Sequence, residues 1–311
     1  MKKIVVFIAI SLLIFSCKTS KKEKITGLIT QKAMVVSARE EVSKIGVAIL
    51  KKGGNAFDAM VATELALAIA YPFAGNLGGG GFMVYRKNDG EIGALDYREK
   101  APLAATKDMY LDENGQVIPN KSILGAMAVG VPGTIAGVFA THKKFGTLPI
   151  SEILQPVIEL AKKGVRVTKK QEKRIKNYQP LFLKANKDSI LFSKNWKEND
   201  TIKYPSLSET LIRIQKNGKD EFYKGETAKR LVNFIQENGG IITLEDLAKY
   251  EAKWRTPVTF SYDDLRIISM APPSSGGICL AQIMNAIEPF DLHEYGHNST
   301  KAIQVITEAE R

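Results

Sequence analysis

Apolar residues at helical spacing alternate with polar loops along most of the chain, and the first of these segments carry start and stop signals. Ser37 and Glu40 have the spacing of a capping box and precede VSKIGVAILKK, which predicts a helix ending at the glycine pair 53–54. Asn55 can cap a second helix, AFDAMVATELALAIA, which ends at Pro72. Because this second helix is apolar on nearly every side, we expect it to be buried.

Strand-like patterns occur near both ends of the chain. A glycine-rich turn over residues 76–81 leads into FMVYR, a DG turn and EIGALDYR, which together predict a β-hairpin. TPVTFSY and LRIISMA predict two more strands around the turn at residues 263–264, and the apolar residues 33–36 predict a short strand. Strands near both ends with helices between them are typical of a layered α/β fold.

Further helices are predicted in the middle and at the end of the chain from capping residues and apolar periodicity. Their expected starts are at Gly133, Ser151, Thr243, Ile278 and Ser299. The last of these helices is still running at Arg311 without a terminating signal. We therefore expect the parent protein to continue beyond this point.

The N-terminal segment has the pattern of a targeting sequence. Lys2 and Lys3 precede an uncharged apolar run over residues 4–15, which is too short for a comfortable membrane span. The run ends in Ser16-Cys17, which favours a bacterial lipoprotein signal over residues 1–17, with Cys17 as the lipidated residue and residues 18–28 as a polar tether. An uncleaved anchor and an ordinary secretory signal remain the alternatives. The lipoprotein interpretation predicts a bacterial cell envelope protein, anchored by lipid and facing the periplasm or the exterior.

The positive charge of the chain is confined to two segments. Of the formal net charge of +11, residues 1–24 carry +5 and residues 162–176 carry +7, which leaves the rest close to neutral. The second segment lacks interleaved aromatic residues and any zinc-finger pattern, so nucleic acid is not an expected partner. We expect it to form a solvated helical face, with an anionic membrane surface as the alternative.

HEYGH at residues 293–297 fits the H-E-x-x-H pattern of zinc peptidases, which requires both histidines on one face of a helix. Gly296 lies inside the motif and Pro289 lies just before it, so we expect a loop here. The remaining histidine, His142, would have to supply a third ligand, or an unidentified carboxylate would. A zinc metallopeptidase is therefore the weak alternative, and no metal or cofactor is expected.

Two other segments admit both a chemical and a packing interpretation. The glycine run at residues 78–81 could cradle a phosphate, but it precedes a strand and lacks the P-loop pattern, which favours close backbone packing. Cys279 could be a nucleophile, but its apolar helical setting predicts a buried packing residue.

Arg98 in DYREKAP closes an otherwise apolar strand, just before a loop with proline. A guanidinium in such a position can bind a carboxylate through two parallel hydrogen bonds. The alternative is a structural ion pair between Arg98 and Asp96, Glu99 or another acid. The spacing alone favours this ion pair over ligand binding.

Six motifs occur in the order in which they appear in the γ-glutamyltranspeptidase family, and the sequence resembles that family from about residue 30 to the end. Because six motifs agree in order, the resemblance is specific. They are GGNAFDAMVAT (53–63), GNLGGGGFMVY (75–85), LDYREKAP (95–102), GVPGTIAG (130–137), APPSSGG (271–277) and ITEAER (306–311).

The resemblance implies an N-terminal-nucleophile hydrolase fold, an αββα sandwich, of which residues 29–311 would form an incomplete large-subunit domain. It implies an autoproteolytic precursor that is cut into a large and a small subunit, and the cut exposes a threonine. That threonine attacks the γ-amide carbonyl of glutathione or another γ-glutamyl amide, and water or an amino acid then accepts the γ-glutamyl group. The position of Arg98 matches the family arginine that binds the substrate α-carboxylate, so the resemblance favours substrate binding by Arg98.

The processing pattern of the family, consecutive threonines before a histidine, is not found in these residues. Thr141-His142 follows an alanine and lies within a predicted helix. We therefore expect a large-subunit portion without the nucleophile, which is inactive alone and needs the small subunit of the same precursor. The alternative is a non-catalytic lipoprotein or binding paralogue.

Overall fold

The computed structural model describes residues 27–186 and 188–311. The chain divides into two units, Met1–Met34 and Val35–Arg311. Of the first unit only residues 27–34 are described, and they contain no helix or strand. The expected signal peptide and Cys17 lie outside the described residues, and the fold below is that of the second unit.

Helices are the predominant secondary structure in the described part of the second unit. They are α1 (Glu40–Lys51), α2 (Ala56–Ala70), α3 (Thr134–Phe145), α4 (Ile150–Lys163), α5 (Lys169–Ala185), α6 (Pro205–Asn217), α7 (Lys219–Tyr223), α8 (Glu226–Glu237), α9 (Leu244–Ala248), α10 (Gly276–Ile287), α11 (Leu292–Tyr295) and α12 (Thr300–Glu310). Short 3-10 turns occur at Ala126–Ala128 and Leu191–Ser193. None of the helices in the described part of the chain combines the length and the hydropathy that a membrane span requires.

The strands form three small antiparallel sheets. Strands β1 (Phe82–Arg86), β2 (Ile92–Asp96) and β5 (Lys253–Arg255) form one sheet in the order β1-β2-β5. Strands β6 (Val258–Tyr262) and β7 (Leu265–Ser269) form a hairpin, and β3 (Val165–Arg166) pairs with β4 (Thr201–Ile202). Both predicted hairpins and the mixed α/β character are confirmed.

Helix α2 lies at the centre of the core. Asn55 caps it by accepting from the N–H groups of Phe57 and Asp58, and the Asp58 carboxylate accepts from the Asn55 N–H, which completes a capping box. Nine of the fifteen residues of α2 are buried, Asp58 among them. The same carboxylate accepts from the N–H and hydroxyl of Thr147, so it also fixes α2 to the connection between α3 and α4. The predicted cap and the predicted burial are confirmed.

Three local predictions near helix starts are wrong. Residues 33–36 form no strand, because Val35 packs against the core next to Gly46 instead of pairing with another chain segment. The N-cap of α1 is Arg39, because the Ser37 hydroxyl contacts the Arg39 carbonyl and the Ser43 hydroxyl and accepts from no N–H group of the helix. The N-cap of α4 is Pro149, one residue before the helix begins, so Ser151 lies within the first turn.

The apolar helix α10 exposes much of its surface in the described part of the chain. Only Gly277 and Ile287 of this helix are buried, and Ile278 is 43% exposed. The predicted burial of Cys279 is therefore wrong, since its thiol lies on the uncovered side of the helix. On the neighbouring helix α12, Ile303 is 50% exposed. These apolar side chains form a face that the described residues do not cover.

Candidate functional site

Strand β2 brings Arg98 to the surface at the end of a buried segment. Residues 93–97 are buried, and the chain becomes exposed at Arg98. Tyr97 packs against Gly81 and Gly137, so the chain is held firmly up to the residue before Arg98. Arg98 therefore lies just beyond the end of β2, the central strand of the three-stranded sheet, where the chain changes from buried to exposed.

Asp96, two residues before Arg98, pairs with another arginine. Strand β5 lies beside β2 with Arg255 opposite Ala94, and from there the Nε and Nη2 atoms of Arg255 reach Asp96 Oδ2 at 2.9 Å and 2.6 Å. Asp96 is 8% exposed, so the pair is largely shielded from water. The ion pair between Asp96 and Arg98 that the spacing allowed as an alternative is not formed, because the sheet register gives Asp96 a different partner.

The main chain of Arg98 is held on both sides. Its N–H donates to Asp96 Oδ1 at 3.1 Å, and its carbonyl accepts from the Tyr250 hydroxyl at 2.8 Å. Burial raises the pKa of Tyr250 above its usual range, and the negative charges of Asp96 and Glu99 act in the same direction. Tyr250 therefore stays protonated and remains a hydrogen-bond donor at neutral pH.

The guanidinium of Arg98 has no carboxylate partner among the described residues. Its Nη1 donates to the carbonyl of Pro273 at 3.3 Å, and the side chain is exposed. Glu99, the other acid that the spacing suggested, does not pair with it. Since a guanidinium has five N–H donors, most of the donors of Arg98 remain available to a ligand.

Arg98 lies between two cavities. A polar cavity of about 400 Å³ contains charges of both signs, and its lining residues are Asp96, Arg98, Glu99, Lys100, Glu251, Lys253, Arg255 and Pro273. A second cavity of about 320 Å³, with Met109 and Tyr110 in its lining, lies on the other side of Arg98. A zwitterionic ligand with a carboxylate near Arg98 fits the mixed charge of the first cavity.

The glycine run packs its backbone directly against the Arg98 segment. A Cβ on Gly80 would lie 2.5 Å from the Tyr97 carbonyl oxygen and 2.9 Å from Arg98 Cα. The carbonyl of Gly79 accepts from the N–H groups of Gly133 and Thr134, at the start of α3. The interpretation as close packing is confirmed, because this carbonyl occupies the helix N-terminus that a phosphate would use.

The HEYGH segment does not have the geometry of a zinc peptidase site. His293 and Glu294 lie in the four-residue helix α11, but Gly296 ends that helix at φ +82° and places His297 outside it. The predicted loop is therefore partly wrong, since the first three residues of the motif are helical. In residues 27–186 and 188–311, no three His, Cys, Asp or Glu side chains come together as metal ligands would.

Sequence reasoning missed the side chains that hold Arg98 in place. Strand β5 has three residues, too few for a strand pattern, so the position of Arg255 beside Asp96 was not predicted. Tyr250 follows a short helix and had no signal that relates it to Arg98.

Comparison with known proteins gives a consistent result. The Gamma-glutamyltranspeptidase family model matches residues 42–311. The glutathione hydrolase proenzyme of Escherichia coli K12 is 44% identical over 285 residues, which are 90% of this chain and 49% of that protein. The proenzyme of Pseudomonas aeruginosa is 44% identical over 279 residues, which are 89% of this chain and 50% of that protein. This chain therefore spans about half the length of these curated relatives.

Solved structures agree over the same part of the chain. The crystal structure of Helicobacter pylori gamma-glutamyltranspeptidase has a TM-score of 0.89 and 44% identity, and the match covers 92% of this chain and 83% of that one. The gamma-glutamyltranspeptidase from Pseudomonas nitroreducens complexed with L-DON has a TM-score of 0.86 and 43% identity, with coverage of 91% and 84%. The expected N-terminal-nucleophile hydrolase fold class is thereby confirmed. The family match and these identities show that the chain belongs to the γ-glutamyltranspeptidase family.

Proposed function

We propose that the complete protein hydrolyses or transfers the γ-glutamyl group of glutathione and related γ-glutamyl amides. The observation that carries this proposal is the guanidinium of Arg98, which is held through its main chain and free of any carboxylate among the described residues. A free amino-acid carboxylate, such as that of a γ-glutamyl group, is the complementary ligand. The names of the relatives, glutathione hydrolase proenzymes, support the same substrate class.

In this proposal Arg98 binds and orients the substrate while a second subunit supplies the nucleophile. An N-terminal threonine of a small subunit attacks the γ-carbonyl carbon, and its free α-amine accepts the hydroxyl proton. Backbone N–H groups stabilise the oxyanion, and the amine leaving group takes a proton as the C–N bond breaks. Water or an amino acid then attacks the γ-glutamyl ester and regenerates the threonine.

The partner in this proposal is the small subunit of the same precursor, and it would cover the apolar face of α10 and α12. Ile278 and Ile303 are 43% and 50% exposed, and Cys279 lies beside them. Burial of such side chains against a partner is favourable by about 25 cal/mol per Å² of apolar surface. The relatives' description as proenzymes fits a precursor that yields more than one chain.

We also propose that Cys17 carries a lipid that anchors the protein in a bacterial envelope membrane. The support is the sequence pattern alone: two lysines, an apolar run and Ser16-Cys17. Metabolic labelling with an alkyne fatty acid tests it, because labelling is expected in the wild type and not in Cys17→Ser. Equal labelling of both proteins would contradict the anchor.

The catalytic proposal is tested on the complete product of the gene, with glutathione as substrate and glutamate release as readout. Arg98→Lys keeps the charge but not the paired donors, so we expect KM to rise roughly 10- to 100-fold, which corresponds to about 1.5–3 kcal/mol for a hydrogen bond to a charged group. The matched control is Arg86→Lys, since Arg86 is an exposed arginine at the end of β1.

Two outcomes would contradict the proposal. Unchanged kinetics in Arg98→Lys would remove Arg98 from substrate binding. Absence of γ-glutamyl release by a processed, folded wild-type protein would favour the non-catalytic binding paralogue, which the same preparation can test by measuring glutathione binding.

A further inference from the structure

Helix α5 lies on the outside of the second unit with one side turned entirely to solvent. None of its 17 residues is buried. Its inner side contacts the rest of the unit through Gln171, which donates to the Ala70 carbonyl, Ile175, which packs against the core, and Gln179, which donates to the Ser193 carbonyl. The outer side has no covering element among the described residues.

The outer side of α5 is a stripe of lysines. Lys169, Lys173, Lys176 and Lys184 follow one another at intervals that keep them on one face of a helix, and Lys170 lies beside them. All five are exposed, and none forms an ion pair with a described residue. The one acid of the helix, Glu172, borders the stripe one turn before Lys176, but its carboxylate pairs with Lys197 and accepts from the Glu198 N–H.

Large apolar side chains flank this lysine stripe. Leu181 and Leu183 are 44% and 56% exposed and lie on either side of it, in the last turns of α5. Phe73 and Tyr178 are 53% and 41% exposed at one flank of the helix, where the Arg174 guanidinium stacks on the Phe73 ring at 3.7 Å. Lysines beside leucines and aromatic rings, on a helix that lies flat on its domain, are typical of a segment in the membrane interface.

We propose that the outer side of α5 docks on an anionic lipid bilayer. The stripe extends over about 22 Å at a rise of 1.5 Å per residue, so its ammonium groups can contact several lipid headgroups at once. Leu181 and Leu183, at the two borders of the stripe, then enter the boundary between headgroups and acyl chains. The unpaired charge of the stripe provides the complementarity, and the rest of the chain beyond residues 1–24 and 162–176 is close to neutral.

A nucleic acid or an acidic protein could pair with the lysines of the stripe, but it would not bury the exposed apolar side chains beside them. Tyr178 and Phe182 fall between Lys176 and Lys184 in sequence, but the helical repeat turns both rings away from the stripe, so no ring stands between the lysine side chains for bases to stack on. Leu181 and Leu183 would stay in water beside a phosphate backbone, whereas a bilayer interface accepts both kinds of side chain. The inference does not depend on the proposed catalytic function or on acylation of Cys17.

The test measures which lysines become protected when the full chain binds vesicles. An amine-acetylating reagent is applied to the protein alone, with phosphatidylcholine vesicles, and with vesicles that contain one quarter phosphatidylglycerol, and mass spectrometry locates the modified lysines. We expect Lys169, Lys173 and Lys176 to be modified several-fold more slowly only with the anionic vesicles. Lys107, Lys216 and Lys229, which are exposed and unpaired with any described residue, serve as internal controls.

Matched variants give the second readout. The first triple variant replaces three stripe lysines by glutamine: Lys169→Gln/Lys173→Gln/Lys176→Gln. The control triple variant loses the same charge elsewhere on the chain: Lys107→Gln/Lys216→Gln/Lys229→Gln. Glutamine is used in both because its helix propensity is close to that of lysine. We expect the first triple variant to bind anionic vesicles on the order of 100-fold more weakly, since each lysine near such a surface contributes about 1 kcal/mol and 1.4 kcal/mol is tenfold. Residues 1–24 are the same in the wild type and in both triple variants, so their contribution to vesicle binding cancels when the two variants are compared.

Several results would overturn the proposal. One is that the stripe lysines are acetylated equally fast with and without anionic vesicles. Another is that both triple variants lose the same amount of vesicle binding, or that the stripe variant binds anionic vesicles as tightly as the wild type does. Protection of the stripe by a DNA oligonucleotide and not by anionic vesicles would assign the surface to nucleic acid. Far-ultraviolet circular dichroism checks that both triple variants are folded.

Discussion

Arg98 and Arg255 both lie near the carboxylate of Asp96, but we expect their replacement to have different effects on the stability of the fold. Arg255 makes two hydrogen bonds to Asp96, whereas Arg98 contacts Asp96 only through its main-chain N–H. An alanine at position 98 keeps that N–H, so the contact survives the substitution. We therefore predict that Arg255→Ala destabilises the fold and that Arg98→Ala leaves it nearly unchanged.

The expected magnitudes follow from burial. Removal of one partner of a buried ion pair costs about 3–5 kcal/mol, because the other charge stays buried without compensation. The Asp96 side chain is 10% exposed and that of Arg255 is 32% exposed, so water can enter part of the vacated space. This lowers the expected cost of Arg255→Ala to about 2–3 kcal/mol. Arg98→Ala loses one long hydrogen bond at an exposed site, for which about 0.5 kcal/mol is the expected upper limit.

Urea unfolding followed by far-ultraviolet circular dichroism measures both effects. This signal is preferable to tryptophan fluorescence, because Trp254 is adjacent to the substituted Arg255. The unfolding midpoint should fall clearly in Arg255→Ala and stay within error of the wild type in Arg98→Ala and in the control Arg86→Ala. If Arg98→Ala lowers the midpoint as much as Arg255→Ala does, Arg98 is a structural residue and the argument for substrate binding fails.

Three further predictions concern the surroundings of Arg98 and the core. Burial raises the pKa of Glu64, so the folded state binds its proton more tightly than the unfolded state does, and stability falls as the pH rises. We therefore expect Glu64→Gln to raise the thermal unfolding midpoint at neutral pH. This gain should shrink in acid, where Glu64 itself is protonated in both states. Tyr250→Phe removes the hydrogen bond to the Arg98 carbonyl, and we expect a loss of about 1 kcal/mol in urea unfolding and a higher KM in the complete protein. Gly80→Ala places a methyl group against the main chain of Tyr97 and Arg98, so KM should rise more than in Tyr250→Phe.

The elements that sequence reasoning predicted well are those whose signals are local. Asn55, Thr243 and Ser299 each cap the helix that follows them, because a capping side chain bonds to N–H groups two or three residues along the chain. The hairpins at residues 82–96 and 258–269 follow from short turns between alternating strands. In each case the interaction that stabilises the element lies within the segment that predicts it.

The missed features depend on contacts that the sequence pattern does not specify. Ser37 has the spacing of a cap, but its hydroxyl contacts Arg39 and Ser43 instead. Cys279 lies in a segment of buried composition, but burial depends on a neighbour, and the described residues supply none on that side of the helix. Apolar periodicity predicts which face of a helix can be covered and leaves open what covers it.

The partner of Asp96 is likewise set by a distant segment of the chain. In sequence, Asp96 and Glu99 are the acids nearest to Arg98, and proximity along the chain favours an ion pair. In the fold, the register of β5 against β2 gives Asp96 two donors from Arg255, and the other carboxylate oxygen accepts from the Arg98 main chain. A buried carboxylate whose oxygens are already bonded gains little from a second guanidinium, so the side chain of Arg98 turns outward. The pair that stabilises the sheet is thus also the reason why the guanidinium of Arg98 has no carboxylate partner among the described residues.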